Sequence, residues 1–291
     1  MAIPEALTTY LELRQSNDAG DEGAGLSHTS SGLFLLHVLE LASYGEPRGA
    51  VTIVHDAGDH GARYLAAARV LAQARWAVAL PDLRGHGRSE GLRGDSAGVR
   101  EVVRDLDAVQ DHVAYRQPTA PKVLIGCGLG ALYALHYATT KPDALAALVL
   151  LAPRWSPRFE LPAAPSGLMK MFKKLAPTAQ GRVGNAVEQL LSNATARSAW
   201  SGDALVHDFV SVRAAQQAFE LAAQCELRAG DVTLPTLLLH GASDRISPAQ
   251  TSSALHGAHL EVRVLDGLAH DLLHEDGVSE HVRDWLALHV R

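Results

Sequence analysis

Cysteine is nearly missing from this chain: Cys127 and Cys225 are the two in 291 residues. That excludes a disulfide framework and a cysteine-built metal site, and it fits a reducing, cytoplasmic compartment. Dense runs of Lys and Arg are missing too, the nearest being "KMFKK" at Lys170 to Lys174. With a net charge of -6 and a pI near 6.2, there is no basic patch to neutralise phosphates, so nucleic acid is excluded as a partner. No apolar stretch approaches the roughly 20 residues that span a bilayer. The opening "MAIPEALTTYLELRQS" has acidic residues where a signal peptide has a basic and then an apolar region. The fifteen histidines are scattered without H-E-x-x-H or comparable ligand spacing. Neither a metal nor a cofactor is expected, and no internal repeat is found.

What remains, at 47% hydrophobic and 20% charged, is an ordinary globular composition long enough for a sizeable core. Residues 1–30 end in "NDAGDEGAGLSHTSS" and read as a flexible lead-in, because Gly, Asp and Ser bury little apolar surface. From residue 31 strand-like runs alternate with helical ones. "GLFLLHVLELA", "GAVTIVHD", "WAVALPD", "KVLIG" and "LAALVLLAP" have the apolar content of strands. "ARYLAAARVLAQAR" and "AGVREVVRDLDAVQDHVAYR" repeat apolar residues at helical spacing, the second with Val99, Val102, Val103, Leu106 and Val109 on one side. This rhythm predicts a mostly parallel sheet with helices on both faces, an α/β fold. It breaks over residues 153–231, which carry helical patterns and no strand-like run, and it resumes with "LPTLLLHGASD", "HLEVRVLDG" and "VSEHVRDWLALHV". The predicted organisation is a core of residues 31–152 and 232–291, interrupted by a helical cap over 153–231.

The stretch "KVLIGCGLGALYALHYA", Lys122 to Ala138, runs from a strand through a glycine-rich bend into a helix. Gly126, Gly128 and Ala131 satisfy the dinucleotide-binding pattern G-x-G-x-x-G/A; Gly126 and Gly130 frame the nucleophile-elbow pattern G-x-S-x-G. The first needs an acidic residue about 20 positions on to hold a ribose. The next strand ends instead in Ala152 and Pro153, and the bend follows at least three strands rather than opening the sheet. The elbow reading is preferred.

Ligands of a parallel sheet bind beyond the carboxyl ends of its strands. Those places carry "HDAGDHGARY", "PDLRGHGRSEG", Asp244 in "HGASDRISP" and His270 in "DGLAHDLLHE". Together with the elbow and "GDALVHD" in the insert, these segments resemble the α/β-hydrolase superfamily, specifically its monoacylglycerol lipase and lysophospholipase-like (serine aminopeptidase S33-type) branch. The likeness runs from about Ser31 onward. It implies an α/β-hydrolase fold with a cap, activity on carboxylic esters of monoglyceride or lysophospholipid type, and a triad in chain order nucleophile, acid, histidine. The matching positions are Gly128, Asp244 and His270. The resemblance also implies oxyanion donors at the backbone N–H groups of Ala57 and Leu129, and a loop built by Asp82, Arg84, His86, Gly87 and Arg88 to which no chemistry is assigned.

Three departures cluster at this centre. Glycine stands at 128 where the family has serine, so the hydroxyl that a histidine would activate is missing. The family's HG-x-G becomes "HDAG", which sets Asp56 after His55 and brings a carboxylate to donors that should face developing negative charge. Cys127 stands where histidine is common. His55, Asp56 and Cys127 are accordingly pocket candidates. The main expectation is a catalytically degenerate lipase or esterase homologue able to bind a small apolar or acyl-ester ligand. Its rival is an active ester hydrolase that uses Cys127, or water activated by His270. A structural or partner-binding protein with a collapsed pocket is a third class. "SGLMKMFKKLAPT" in the insert reads as a cap helix packed on the core, with transient membrane contact as the alternative.

Overall fold

"GAVTIV", Gly49–Val54, is buried at every position, as a strand covered on both faces must be. In the computed structural model, which describes residues 5–14, 33–162 and 176–290, this strand lies in the middle of an eight-stranded sheet. In chain order the strands are β1 (Leu7–Arg14), β2 (Leu33–Leu41), β3 (Gly49–Val54), β4 (Trp76–Pro81), β5 (Lys122–Cys127), β6 (Ala147–Leu151), β7 (Gln180–Arg182), β8 (Phe209–Ser211), β9 (Thr236–Gly241) and β10 (Leu260–Leu265). The sheet order is β1-β2-β4-β3-β5-β6-β9-β10, while β7 and β8 form a separate pair. From β4 to β10 all pairings are parallel; β2 is antiparallel to both β1 and β4.

Strand alternation sends Val123, Ile125 and Cys127 of β5 to one face and Leu124 to the other. On the first face the core is closed by α1 (Leu65–Gln73), through Ala68 and Leu71, and by the C-terminal helix Val278–His289, through Val282 and Trp285. On the second it is closed by α2 (Val99–Arg116) and α3 (Leu129–Thr140), with Val102, Leu106, Leu132 and Leu135 fully buried. Fully burying one such side chain contributes about 1.5–3 kcal/mol, and the two layers hold the carboxyl ends of β3, β5, β6 and β9 in one plane.

The expected sheet with helices on both faces is present, and three details go beyond the sequence reading. Leu7–Arg14, placed within the lead-in, pairs along its whole length with Leu33–Glu40; its Leu, Thr and Tyr content suits an edge strand even though polar residues follow it. The insert contains β7 and β8, too short at three residues each to show a period. Its last helix, Val212–Arg228, hereafter α4, carries Ala218, Leu221, Ala222 and Cys225 into the same cluster as α3. Its apolar face thus packs on the core beside α3. The polar stretch after Arg14, and "SGLMKMFKKLAPT" through Leu175, lie outside the described residues. Among the described residues no helix is long and apolar enough to cross a membrane.

Candidate active site

β5 ends at Cys127 and α3 begins at Leu129, so the whole change of direction falls on Gly128, at φ 56° and ψ -114°. Residues with a Cβ rarely adopt that conformation; glycine does so at little steric cost. The bend is tied to the neighbouring strand. Gly128 N–H donates to the Leu151 carbonyl at 2.9 Å, and the Gly128 carbonyl accepts from Arg154 N–H at 3.3 Å.

Asp244 and His270 come together beyond β9 and β10. Nδ1 of His270 lies 2.6 Å from Asp244 Oδ2. Asp244 Oδ1 accepts the backbone N–H groups of Ile246 and Ser247 at 2.8 and 3.0 Å, so the carboxylate is held at both oxygens. His240, on β9, places Nε2 at 3.1 Å from Asp244 Oδ2 and Nδ1 at 2.7 Å from Ser252 Oγ. Burial would make charging His270 harder, but the adjacent Asp244 carboxylate outweighs it and, with a smaller contribution from Asp56, pushes the imidazole up to about 9. Burial likewise disfavours an ionised Asp244, and His270 with the hydrogen bonds around it drives that carboxyl well below the usual range instead.

Asp56 turns its carboxylate onto the elbow. Oδ1 accepts Leu129 N–H at 2.7 Å, and Oδ2 lies 3.3 Å from Nε2 of His270. The expected oxyanion donor at Leu129 is thus already engaged, while Ala57 lines the space beside it. The partner that the sequence reading missed is Arg154. Its guanidinium is 1% exposed and grips both oxygens, Nε at 2.7 Å from Oδ1 and 3.0 Å from Oδ2, with Nη2 also on Oδ2. Burial would raise the Asp56 carboxyl, but Arg154 above all, and then His270, hold it far below its ordinary value. The segment that carries Arg154 is clamped to the Asp244 loop: Ser247 Oγ donates to the Pro153 carbonyl at 2.7 Å, and Trp155 Nε1 donates to Ser252 Oγ at 2.7 Å. The one available signal was an arginine directly beyond a buried strand in "LLAPRW", at the sheet's ligand-binding edge.

The other candidates are structural in their contacts. His55 accepts Leu83 N–H at Nε2, 2.9 Å, while Nδ1 sits 2.7 Å from the Asp56 carbonyl. Both ring nitrogens are occupied, and burial lowers its basicity. Cys127 is buried in the cluster with Tyr64, on the side of the sheet away from α3, and burial pushes its thiol well up. Asp82 accepts Gly61 N–H at 2.7 Å and Arg88 N–H at 2.8 Å and pairs with His37, which brings its carboxyl to about 2 despite burial. Arg84 is bidentate to Asp105 at 2.6 Å for both bonds. Asp82 and Arg84 thus brace the loop. Among the described residues no cluster of His, Cys, Asp or Glu has the arrangement to hold a metal ion.

The insert is latched over this centre, partly by the "GDALVHD" segment. Asp203 Oδ2 lies 2.8 Å from His60 Nε2, and His207 N–H donates to the Gly58 carbonyl at 2.9 Å. A Cβ on Gly58 (φ +77°) would meet the His207 carbonyl at 2.2 Å, so glycine permits the approach. Asp271 N–H donates to the Leu190 carbonyl at 2.8 Å, next to His270. Two small cavities flank Asp56, each of about 20 Å³, about the room of one water molecule. One is walled by Leu83, Leu129, Tyr133 and Val210; the other contains Gly128, His270, Cys127 and Trp200.

A parallel sheet with an elbow after β5, an acid after β9 and a histidine after β10 defines the α/β-hydrolase fold. Residues 45–277 match the family described as serine aminopeptidase, S33, and the chain belongs to that family. It is 28% identical over 258 residues to a monoacylglycerol lipase of Mycolicibacterium smegmatis, covering 84% of this chain and 90% of that protein. It is 28% identical over 249 residues to the monoglyceride lipase of Rattus norvegicus, covering 79% and 82%. Among solved structures, the monoacylglycerol lipase of Paleococcus ferrophilus superposes with a TM-score of 0.75 at 26% identity, covering 87% of this chain and 99% of that one.

Proposed function

We propose that this chain is a non-hydrolysing member of the S33 family, in which Gly128 stands where the relatives' nucleophile would be. Gly128 carries the reading: it takes up the whole elbow turn and lines the same small cavity as His270, yet has no atom with which to attack an ester. The two substitute nucleophiles are poorly served. Cys127 borders that cavity as well, but its side chain is buried in the cluster with Tyr64 and burial keeps its thiol protonated. His270 cannot act as a general base toward water while it is an imidazolium, and its acidity near pH 9 keeps it one at neutral pH. The apolar wall of Leu83, Val102, Leu129, Tyr133 and Val210 suits a short acyl chain or small apolar molecule. Cavities of about 20 Å³ favour a second reading, a collapsed site in a partner-binding protein. Two buried free thiols are in keeping with the cytoplasm.

The purified protein should give no hydrolysis of short and medium acyl esters above a buffer blank, and no labelling by a fluorophosphonate. Turnover that disappears in His270→Ala would overturn the non-hydrolysing reading. Melting shifts with monoglycerides or fatty acids support the ligand reading; their absence supports the collapsed site.

A further inference from the structure

Gly128 has no side chain, yet the space a side chain would fill is taken. A Cβ on Gly128 would stand 2.2 Å from both Asp56 Cγ and Oδ1, and 2.6 Å from Oδ2. Non-bonded carbon atoms settle at roughly 3.5–4.0 Å, so Asp56 as placed and a residue with a Cβ at 128 exclude one another. Asp56 is not free to swing aside, because Arg154 grips both of its oxygens in a pair that is almost wholly buried.

Two donors from separate parts of the chain hold that carboxylate, the Leu129 N–H at the start of α3 and the guanidinium of Arg154 beyond β6, and the imidazole of His270 beyond β10 stands at ion-pair distance, its Nε2 3.3 Å from Oδ2. A backbone N–H, a forked guanidinium and an imidazolium together form the kind of set that recognises a carboxylate or an oxyanion. We infer that the centre is a carboxylate receptor whose resident ligand is the chain's own Asp56, and that this occupancy blocks ester hydrolysis separately from the missing nucleophile. The inference rests on the non-hydrolysing reading of Gly128 but assigns the block to different residues. A hydroxyl at 128 alone leaves the protein silent; Asp56 and Arg154 have to change with it.

The test compares Gly128→Ser with the triple variant Asp56→Gly/Gly128→Ser/Arg154→Met, in which neither member of the ion pair is left alone. On p-nitrophenyl butyrate, Gly128→Ser is expected within tenfold of the unchanged protein. The triple variant, dependent on His270, is expected at least ~100-fold faster, the scale set by one oxyanion-hole donor. A Gly128→Ser protein as active as the triple variant overturns the block, and so does a folded triple variant no faster than Gly128→Ser. A second arm reads the receptor without turnover. Asp56→Gly leaves Arg154 and Leu129 N–H vacant, so sodium acetate should raise its melting midpoint by several degrees over sodium chloride at equal ionic strength, and should not do so for the unchanged protein. No acetate-specific rise, or an Asp56→Gly protein that stays unfolded in acetate, overturns the receptor; this arm decides if the triple variant does not fold. Hydrolysis by the unchanged protein that requires His270 would instead strike at the reading of Gly128.

Discussion

The two halves of this centre are built from the same kind of parts and differ in what they can still do. On one side Asp244 orients His270 through a 2.6 Å contact and is itself held by two backbone N–H groups. On the other, the elbow keeps its sharp backbone turn at Gly128 while the place above it belongs to Asp56 and Arg154. The histidine side pairs an imidazole with a carboxylate, and the elbow side turns sharply at a residue that has no side chain. The link between them is the Asp56 carboxylate, 3.3 Å from His270 Nε2. It gives the imidazole a second anionic neighbour beside the elbow. Most of the rise in His270's basicity comes from Asp244, while on the elbow side Arg154 opposes it and Asp56 adds a smaller share.

The comparison can be broken most forcefully from the elbow side. Arg154→Met leaves the Asp56 carboxylate buried without its cation and is expected to cost roughly 3–5 kcal/mol in urea-denaturation stability. Adding Asp56→Asn to that variant should recover most of the loss. If Arg154→Met is neutral, the pair is not what holds the elbow side together. The histidine side is sharpened by pH. His270 has its ordinary value of 6.5 when unfolded and about 9 when folded. Its contribution to stability is therefore complete below pH 6.5 and is lost as pH rises toward 9, on the order of 3 kcal/mol in all. Nuclear magnetic resonance titration of the ring should place the midpoint near 9; a midpoint near 6.5 would return to His270 its capacity as a base. The smallest effect concerns the residue between the halves. Cys127 should react with a thiol reagent at neutral pH at least about tenfold more slowly than a free thiol, and rapid labelling in the folded protein would reopen it as a nucleophile.

Much of this was legible in the sequence because it is local. The buried runs "GAVTIV" and "KVLIG" announce covered parallel strands, and Asp244 and His270 each follow a strand at the edge where ligands bind. Asp56 was legible as an intruder in "HDAG" for the same reason. Arg154 was not, since its meaning lies in a partner 98 residues away, and no periodicity or spacing encodes which buried charge an arginine will meet. His240 was hidden similarly, as one more histidine in a strand until the turn to Asp244 brings its ring back. The edge strand Leu7–Arg14 was masked by the polar stretch after it, because its pairing is made with β2 across that stretch. The packing of α4 beside α3 was not legible, because an amphipathic helix does not reveal which surface receives its apolar face.

The pairing of Arg154 with Asp56 also sets the electrical character of the centre. Two anions, Asp56 and Asp244, stand against two cations, Arg154 and the protonated His270, and their formal charges cancel. A hydrolase needs an uncompensated pull for the negative charge that grows on a carbonyl oxygen. On the proposed reading this quartet offers an incoming ester no such pull, because its cations already face the carboxylates of the chain itself.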